Sequence, residues 1–193
     1  SRFSTMSVSR LEVSSVRNIH RLRLVDLRRI NVFYGENGSG KTSVLESLHL
    51  LGMARSFRGN SIKTVITHDA PECTVYGLIS RDSQVESPVG VTRPRLGDAQ
   101  IKVAGDPVQT LAELAQYLPT QVINAESFDL LTGSPEARRQ YLDWGVFHVE
   151  HGFLTAWRRY QRAIKQRNKL LRRGKMAGDQ LAAWTSELVA AGE

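Results

Sequence analysis

Gly35-Glu36-Asn37-Gly38-Ser39-Gly40-Lys41-Thr42 fits the pattern G-x-x-x-x-G-K-[ST] with every fixed position filled. The glycines of this pattern let the backbone wrap tightly, so that successive N–H groups point into one concavity that accepts phosphate oxygens. Lys41 is expected to reach the β- and γ-phosphates of a nucleotide, and the hydroxyl of Thr42 is expected to bind Mg2+. The stretch therefore predicts a phosphate-binding loop.

The segments on both sides of the loop supply the strand–loop–helix order that such a loop requires. Ile30-Asn31-Val32-Phe33-Tyr34 is short and mostly apolar, which is typical of a buried parallel strand. After the loop, apolar residues at helical spacing predict a helix from about Gly40 to about Ala54: Val44, Leu45, Leu48 and Leu51. The positive end of this helix is directed at bound phosphate, and Ser43 is expected to contact the α-phosphate. The alternative is that the match is a coincidental turn rich in Gly and Ser, but such a turn would require neither the strand before it nor the helix after it.

Composition and charge place the chain in a broad class without specifying a partner. Of its 193 residues, 41% are hydrophobic and 23% are charged, as in globular proteins. The formal net charge of +7 is compatible with a polyanionic partner, but many basic proteins bind none. Cys73 is the only cysteine, so no internal disulfide is possible. No apolar run reaches membrane-spanning length and no signal peptide is visible, so we expect a cytoplasmic protein without a membrane partner.

Strand signals occur on both sides of the loop. Alternating apolar and polar residues predict two strands, each with one buried face, on either side of a turn near Asn18. Short strand-forming runs separated by turn residues predict an antiparallel meander: 65–66, 74–79, 89–91 and 101–103. A short helix at 111–118 and a return strand at 121–124 are predicted next. This order is unlike that of a small-molecule kinase, in which helices and strands would keep alternating.

Helices are predicted for the last third of the sequence. Ser134-Pro135-Glu136 combines an N-cap residue, a proline at the first helical position and an acid in the first turn. A helix is therefore expected to begin there and to end near Gly145. Its inward residues are expected to be Tyr141, Leu142 and Trp144. A further helix is predicted around 181–189.

The helix predicted to begin near Gly152 has an apolar stripe and is otherwise strongly basic. Its basic residues, with no acid between them, are Arg158, Arg159, Arg162, Lys165, Arg167, Lys169, Arg172, Arg173 and Lys175. One interpretation is an ordinary solvated surface. The other is binding to the phosphate backbone of DNA, in which each Lys or Arg displaces counterions, without reading base sequence. The candidate DNA contacts are Arg158, Arg159, Arg162, Lys165, Arg172 and Arg173.

Six short motifs, in this order, resemble the RecF family of bacterial recombination mediators. They are Arg17-Asn18-Ile19; the phosphate loop continued as Ser43-Val44-Leu45-Glu46; Arg55-Ser56-Phe57-Arg58; Gly133-Ser134-Pro135 with Arg138-Arg139; Leu142-Asp143-Trp144-Gly145; and Lys165-Gln166-Arg167-Asn168 with Leu170-Leu171. Apart from the phosphate loop no single motif is strong, but their joint order is specific. The resemblance runs from about Met6 to Lys175.

The resemblance implies an α/β fold of the P-loop NTPase class, of the ABC or SMC-head type related to Rad50, with an antiparallel β meander and a helical lobe. In such proteins ATP and Mg2+ lie between two subunits, and the ATP-dependent homodimer binds single- and double-stranded DNA. With RecO and RecR, the dimer helps to load the recombinase RecA. The expected domains are part of the ATPase lobe at 6–133 and a helical lobe at 134–193.

Further site residues also follow from the resemblance. Arg17 and Asn18 would face the nucleotide, an ordinary turn being the alternative. Either Gln121 or Glu126 would serve as the residue of a glutamine-bearing loop, and the choice stays open. Arg58 either helps to hold nucleotide or the next subunit, or simply suits a helix C-terminus.

Two motifs needed for hydrolysis are missing from the sequence. Members of the family are about twice this length, and we find neither a Leu-Ser-x-Gly-Gln-like helix start nor an apolar run ending in Asp-Asp or Asp-Glu. Glu46 is expected to be a surface or salt-bridge residue and not a base. We therefore identify no catalytic residue. We expect slow ATPase activity for a full-length dimer, while this chain alone would bind nucleotide weakly or in part without hydrolysing it.

Two other classes of function are the alternatives. A small-molecule phosphotransferase would need a third pocket under a mobile lid, and the meander and the basic helix argue against it. An SMC-like chromosome organiser would need long heptad stretches, whereas the basic helix is short and is broken by Gly174.

Overall fold

The structure is a computed structural model that describes residues 6–59, 61–81, 85–108, 110–124, 127, 133–149, 152–172 and 178–192. The chain divides into two compact units, 1–124 and 125–193. The first unit contains a six-stranded sheet and the phosphate loop, and the described part of the second is helical. None of the described helices combines the length and the apolar character that a membrane span requires.

In the part of the chain that the structure describes, six strands form one antiparallel sheet in the order β2-β1-β3-β4-β5-β6. They are β1 (Met6–Val16), β2 (Ile19–Leu24), β3 (Glu72–Arg81), β4 (Val85–Pro94), β5 (Gln100–Val103) and β6 (Asp106–Pro107). The register places Val13 opposite Leu22 in the first hairpin and Val75 opposite Val91 between β3 and β4. The hairpin predicted near Asn18 is therefore confirmed, and so are three of the four runs of the predicted meander: 74–79, 89–91 and 101–103.

Alternation along the strands gives the sheet one buried face. Its buried residues on β1, β3, β4 and β5 include Leu11, Val13, Cys73, Val75, Ile79, Val89, Val91, Ile101 and Val103. Helix α1 (Lys41–Met53) joins this core through Leu50 and Leu51, which are both fully buried. Full burial of one such leucine contributes roughly 1.5–3 kcal/mol. This packing determines where α1, and the phosphate loop before it, lie against the sheet.

A short helix, α2 (Leu111–Tyr117), packs beside α1 where a helix is predicted. The hydroxyl of Thr110 caps it by accepting a hydrogen bond from the backbone N–H of Glu113 at 3.2 Å. The chain after α2 approaches α1 closely, because a Cβ added to Gly52 would lie 2.1 Å from Thr120 Oγ1. Helix α1 is therefore held on one side by the sheet and on the other by the segment that follows α2.

The predicted parallel strand at 30–34 is wrong. This segment has no regular secondary structure, and Ile30, Val32 and Tyr34 are 83%, 78% and 91% exposed. A parallel strand exists only beside a neighbour with which it exchanges hydrogen bonds. Among the described residues every strand pairing is antiparallel and none includes 30–34. Apolar composition alone does not produce a strand here.

Two shorter strand predictions also fail. Residues 121–124 have no regular structure, and Ile123 is 87% exposed. The strand predicted at 65–66 is reduced to a single bridge between Ile66 and Val16. Before it, a 3-10 turn at Ile62–Thr64 directs the backbone N–H of Val65 to the carbonyl oxygen of Ile62 at 2.9 Å. That local bond takes the donor that a strand would give to its neighbour.

The described part of the second unit contains three helices: α3 (Pro135–Val149), α4 (Phe153–Arg172) and α5 (Gly178–Gly192). The predicted starts at Pro135 and near Gly152 are confirmed, and α5 includes the helix predicted around 181–189. The predicted end near Gly145 is wrong, because one interior glycine costs a helix only about 1 kcal/mol. Tyr141 and Leu142 are exposed and not inward as predicted, and Trp144 is half-buried.

Candidate nucleotide-binding site

The loop before α1 has a backbone conformation that suits glycine. Gly38 and Gly40 have φ values of 84° and 94°, in the left-handed region, where other residues cost roughly 1–2 kcal/mol. Gly40 is the N-cap of α1, and its carbonyl oxygen accepts a hydrogen bond from the backbone N–H of Val44 at 2.9 Å. The N-terminus of α1 therefore opens directly into the loop, as binding of a phosphate group there requires.

The ammonium group of Lys41 lies over the loop that precedes it. Its Nζ donates to the carbonyl oxygens of Gly35 at 2.8 Å and Glu36 at 2.7 Å, and it lies 3.5 Å from Ser39 Oγ. The positive charge is thus held at the mouth of the concavity. Phosphate oxygens bound there would meet a donor that is already in place.

The side-chain amide of Asn18 joins the turn after β1 to the phosphate loop. Its Nδ2 donates to the carbonyl oxygen of Gly38 at 3.0 Å, and its Oδ1 accepts from the hydroxyl of Ser43 at 2.8 Å. One side chain therefore holds both the loop and the first turn of α1. Ser43, predicted to contact the α-phosphate, is buried with its hydroxyl on this amide.

Arg17 and Glu46 form a bidentate ion pair beneath the loop. Arg17 Nε lies 2.9 Å from Glu46 Oε2, and Arg17 Nη2 lies 2.8 Å from Glu46 Oε1. Arg17 Nη1 donates to the carbonyl oxygen of Thr64 at 2.6 Å, and the hydroxyl of Ser56 donates to Glu46 Oε1. Glu46 is fully buried, so its predicted salt-bridge role is confirmed and its predicted surface position is wrong.

The charges of this pair stabilise each other. Burial by itself would raise the pKa of Glu46, but hydrogen bonds from Arg17 and Ser56 and the positive charges of Arg17 and Arg58 outweigh it, so that this pKa is lowered. The hydrogen bond to Glu46 raises the pKa of Arg17, against the opposing effect of burial. Both groups are therefore charged at neutral pH.

The segment after α1 is held by a second buried side chain of that helix. His49 Nδ1 lies 2.7 Å from the carbonyl oxygen of Arg55, and its ring meets that of Phe57 edge-on with the centroids 5.5 Å apart. Burial lowers the pKa of His49, so the ring is neutral at pH 7 and Nδ1 is the donor. The motif Arg55-Ser56-Phe57-Arg58 therefore has its position set by α1.

These elements enclose a cavity of about 460 Å3 in front of the loop. Its lining residues are Arg17, Asn18, Asn37, Gly38, Ser39, Gly40, Lys41, Thr42, Ser43 and Arg58. Most of the residues predicted to bind nucleotide are therefore brought together, and Arg58 joins them. Gly35 lines a neighbouring cavity of about 670 Å3 with Phe33 and Tyr34, and Glu36 contributes its carbonyl oxygen to Lys41.

Some site predictions concern residues outside this cavity. Gln121 is exposed, and its Nε2 donates to the carbonyl oxygen of Val122 at 3.3 Å. Glu126 lies outside the described residues, so the choice between the two stays open. Sequence reasoning did not identify the roles of Ser56, His49 and Thr64. Ser56 falls within a motif quoted for the resemblance, whereas the contact of Thr64 uses a backbone carbonyl, which no residue type signals.

Within the second unit, the basic residues of α4 separate into two faces. Arg159 donates to Glu187 of α5 at 2.9 and 2.7 Å, and Arg167 Nε lies 3.4 Å from Thr185 Oγ1. The other described basic residues are all exposed and recur every three or four positions: Arg158, Arg162, Lys165, Lys169 and Arg172. We call these five residues the basic stripe. Arg173 and Lys175 lie outside the described residues.

Comparison with known proteins gives the family. Residues 7–183 match the family model described as RecF/RecN/SMC N terminal domain. The chain belongs to this family. The DNA replication and repair protein RecF of Stutzerimonas stutzeri (strain A1501) is 52% identical over 183 residues, which are 95% of this chain and 50% of that protein. RecF of Azotobacter vinelandii (strain DJ / ATCC BAA-1303) is 52% identical over 189 residues, 97% of this chain and 52% of that protein.

A solved structure confirms the fold. The recombination mediator protein RecF with ATP, described as part of the RecFOR pathway, has a TM-score of 0.86 and 27% identity to this chain, covering 98% of this chain and 52% of that chain. The predicted resemblance to the N-terminal portion of RecF and the predicted P-loop ATPase fold are therefore confirmed. The chain spans about half the length of the curated relatives it matches.

The chemistry of the cavity fits a nucleoside triphosphate. Glycines with positive φ, a lysine at the loop mouth and a helix N-terminus face the same space, whose volume lies within the usual range for ligand pockets. Thr42, the predicted Mg2+ ligand, is exposed and lines the cavity. Among the described residues no group of three His, Cys, Asp or Glu side chains could hold a metal ion.

Proposed function

We propose that this chain is the nucleotide-binding part of an ATP-switched DNA repair protein that dimerises around ATP and helps to load a recombinase at gapped or single-stranded DNA. The observation that carries the proposal is the cavity in which Lys41, Asn18 and Arg17 converge on a glycine loop at the N-terminus of α1. The RecF relatives, and the solved RecF structure with ATP, support the same assignment.

Most residues of the cavity are assigned to one part of the bound nucleotide. The backbone N–H groups of 37–40 and the ammonium of Lys41 would hold the β- and γ-phosphates. Thr42 would bind Mg2+, which supplies charge neutralisation between these phosphates when it is bound. Ser43 lines the cavity with its hydroxyl donated to Asn18, so it would reach the α-phosphate through its backbone N–H. Arg17 and Arg58 would supply positive charge at the rim of the cavity. No described residue is assigned a role in breaking a bond.

The partners follow from the same assignment. We propose an ATP-dependent homodimer in the cytoplasm that acts with RecR and RecO, with RecA downstream, because the solved relative is described as a mediator in the RecFOR pathway. The complete protein would be a slow ATPase. A binding switch needs only slow hydrolysis, because its output is the lifetime of the dimer on DNA.

For DNA, we propose that the basic stripe of α4 contacts the phosphate backbone. From Arg158 to Arg172 the stripe rises by about 21 Å along the helix, which matches about six nucleotides of a duplex strand at about 3.4 Å each. Its residues are exposed, whereas Arg159 and Arg167 on the other faces of α4 are engaged by α5. Contacts of this kind would be independent of base sequence.

Sedimentation of the full-length protein with and without ATP and Mg2+ tests the switch. The wild type is expected to dimerise with ATP, and Lys41→Ala is expected to stay monomeric. Lys102→Ala, which removes an exposed lysine from β5 in the same unit, is the matched control and should dimerise normally. If the wild type binds nucleotide without dimerising, the two-subunit switch is wrong, and a small-molecule phosphotransferase becomes the better hypothesis. If Lys102→Ala also failed to dimerise, the effect of Lys41→Ala would not be specific to the phosphate loop.

A further inference from the structure

We propose that Glu46 is a positioning residue for nucleotide binding, because it holds Arg17 and the Ser56–Arg58 segment at the rim of the phosphate cavity. The inference rests on the proposed nucleotide-binding function. Glu46 itself is not among the residues that line the cavity. It acts through two arginines that do line it, and one buried carboxylate would thereby set the position of both.

The first branch runs through Arg17. Both carboxylate oxygens of Glu46 accept from its guanidinium, and the Thr64 carbonyl oxygen accepts from the remaining nitrogen. These contacts use three of the five N–H donors of an arginine, which leaves donors for an anion in the cavity that Arg17 also lines. The guanidinium is therefore oriented before a phosphate arrives.

The backbone of Arg17 is held as firmly as its side chain. Arg17 has a positive φ of 53°, a conformation that non-glycine residues adopt only when their surroundings impose it. Its backbone N–H donates to the carbonyl oxygen of Val65 at 2.6 Å, and its carbonyl oxygen accepts from the hydroxyl of Thr67 at 2.8 Å. With the backbone held in this way, Glu46 determines the direction of the side chain.

The second branch runs through Ser56 to Arg58. The Ser56 hydroxyl donates to Glu46 Oε1, and the same Ser56 oxygen accepts from the backbone N–H of Arg58 at 2.9 Å. Arg58 lies at the cavity as well, and its charge helps to lower the pKa of Glu46. A chain of hydrogen bonds thus extends from Glu46 to the second arginine of the rim.

Stability alone is a weak reason to bury this carboxylate. Taking a charge out of water is unfavourable, and well-packed apolar residues in place of a buried ion pair are often as stable or more stable. Orientation of two cavity arginines is a role that apolar residues could not fill. Preorganised groups of this kind improve affinity because less freedom is lost on binding.

The experiment measures binding of a fluorescent ATP analogue to the full-length protein by titration, with melting curves for every variant. Glu46→Gln keeps the size of the side chain and removes its charge. We expect it to raise Kd about tenfold, the equivalent of one hydrogen bond to a charged group. Glu12→Gln, the same change in a carboxylate that pairs with Arg10 and Arg23 on the sheet, is the matched control and should leave Kd unchanged.

A mutant cycle separates positioning from general structural support. In the double variant Arg17→Ala/Arg58→Ala, adding Glu46→Gln should change Kd by less than about twofold, because both groups through which Glu46 acts are gone. Ser56→Ala is a milder change that tests the second branch if Glu46→Gln fails to fold. As a single substitution it should weaken binding. In a protein that already carries Arg58→Ala, it should have no further effect on Kd.

The outcomes distinguish the inference from the function on which it rests. If the wild type does not bind the ATP analogue, the proposed function fails. If the wild type binds and Glu46→Gln binds equally well with a lowered melting temperature, Glu46 is structural only and the inference is overturned. The inference would also be overturned if Glu46→Gln weakened binding about tenfold in the Arg17→Ala/Arg58→Ala variant, as it is expected to do in the wild type.

Discussion

The Asn18 side-chain amide donates to the Gly38 carbonyl oxygen across 3.0 Å, although the two residues belong to different segments of the chain. This bond ties the hairpin turn between β1 and β2 to the phosphate loop. Asn18 also accepts from Ser43 at 2.8 Å, so the loop is held at its centre and at the start of α1. The sheet therefore takes part in shaping the candidate nucleotide site.

We expect Asn18→Ala to weaken nucleotide binding about tenfold, because two hydrogen bonds that hold the loop are lost. A titration of the full-length protein with a fluorescent ATP analogue measures this directly. Asn31→Ala is the matched control, since both the oxygen and the nitrogen of its side-chain amide bond to the backbone of Arg28 and not to the phosphate loop. Equal weakening by both variants would contradict a specific role for Asn18.

Glu46 makes the stability of the fold sensitive to acid. Its folded-state pKa is lowered, so as the pH falls the unfolded state takes up the proton first. The stabilisation is therefore complete above the unfolded-state pKa of a glutamate, about 4.3, and is lost as the pH falls further, through the folded-state pKa.

Glu46→Gln should consequently be less stable than the wild type at neutral pH and should lose less stability between neutral and acid pH. Urea unfolding of the full-length protein at a series of pH values from neutral to about pH 3 measures the difference. Glu113→Gln removes an exposed carboxylate from α2 and serves as the control. A Glu46→Gln curve parallel to that of the wild type would show that Glu46 is not the source of the acid sensitivity.

Gly52 is where α1 cannot accept a side chain. A Cβ there would lie 2.1 Å from Thr120 Oγ1 and 2.7 Å from the carbonyl oxygen of Leu118, so backbone would have to move. We expect Gly52→Ala to destabilise the protein by about 1–3 kcal/mol. Gly145→Ala is the matched control, because Gly145 also lies in a helix, and among the described residues beyond its own stretch of helix no atom comes within 4 Å of an added Cβ.

Gly145→Ala should stabilise α3 by about 0.5–1 kcal/mol, since alanine loses less conformational entropy in a helix. Thermal unfolding of both variants, followed by circular dichroism, measures the two shifts. Opposite signs are expected from the same chemical change. If Gly52→Ala left the stability unchanged, the segment after α2 would not pack against α1 as closely as the distances indicate.

The parts of the fold that the sequence predicts well are those set by neighbouring residues. The phosphate loop, α1 and the antiparallel hairpins depend on local patterns of glycine, helical spacing and alternation. The segment at 30–34 fails because a parallel strand depends on a partner far along the chain. Its residues Ile30, Val32 and Tyr34 are exposed, since no described strand covers them.

In the candidate site, too, local sequence predicts the residues better than it predicts their partners. The loop motif predicts Lys41 and Thr42, and the resemblance adds Arg17 and Asn18, but their hydrogen-bond partners are not readable from the pattern. Glu46 illustrates the reason: a glutamate on a helix is usually exposed, and only the arrival of Arg17 and Ser56 from other segments makes its burial possible. Contacts of this kind arise from tertiary packing and have no signal in local sequence.

The basic stripe gives a prediction about the salt dependence of DNA binding. If Lys165 contacts a phosphate, Lys165→Gln should reduce the slope of log K against log salt by about 0.9, the value for one lost contact. Arg159→Gln removes the same charge from the face of α4 that pairs with Glu187, and it should reduce the slope much less. Filter binding of the full-length protein, with ATP and Mg2+, to a duplex over a range of salt concentrations measures both slopes. Equal slopes for the two variants would mean that net charge, and not the stripe, determines DNA binding.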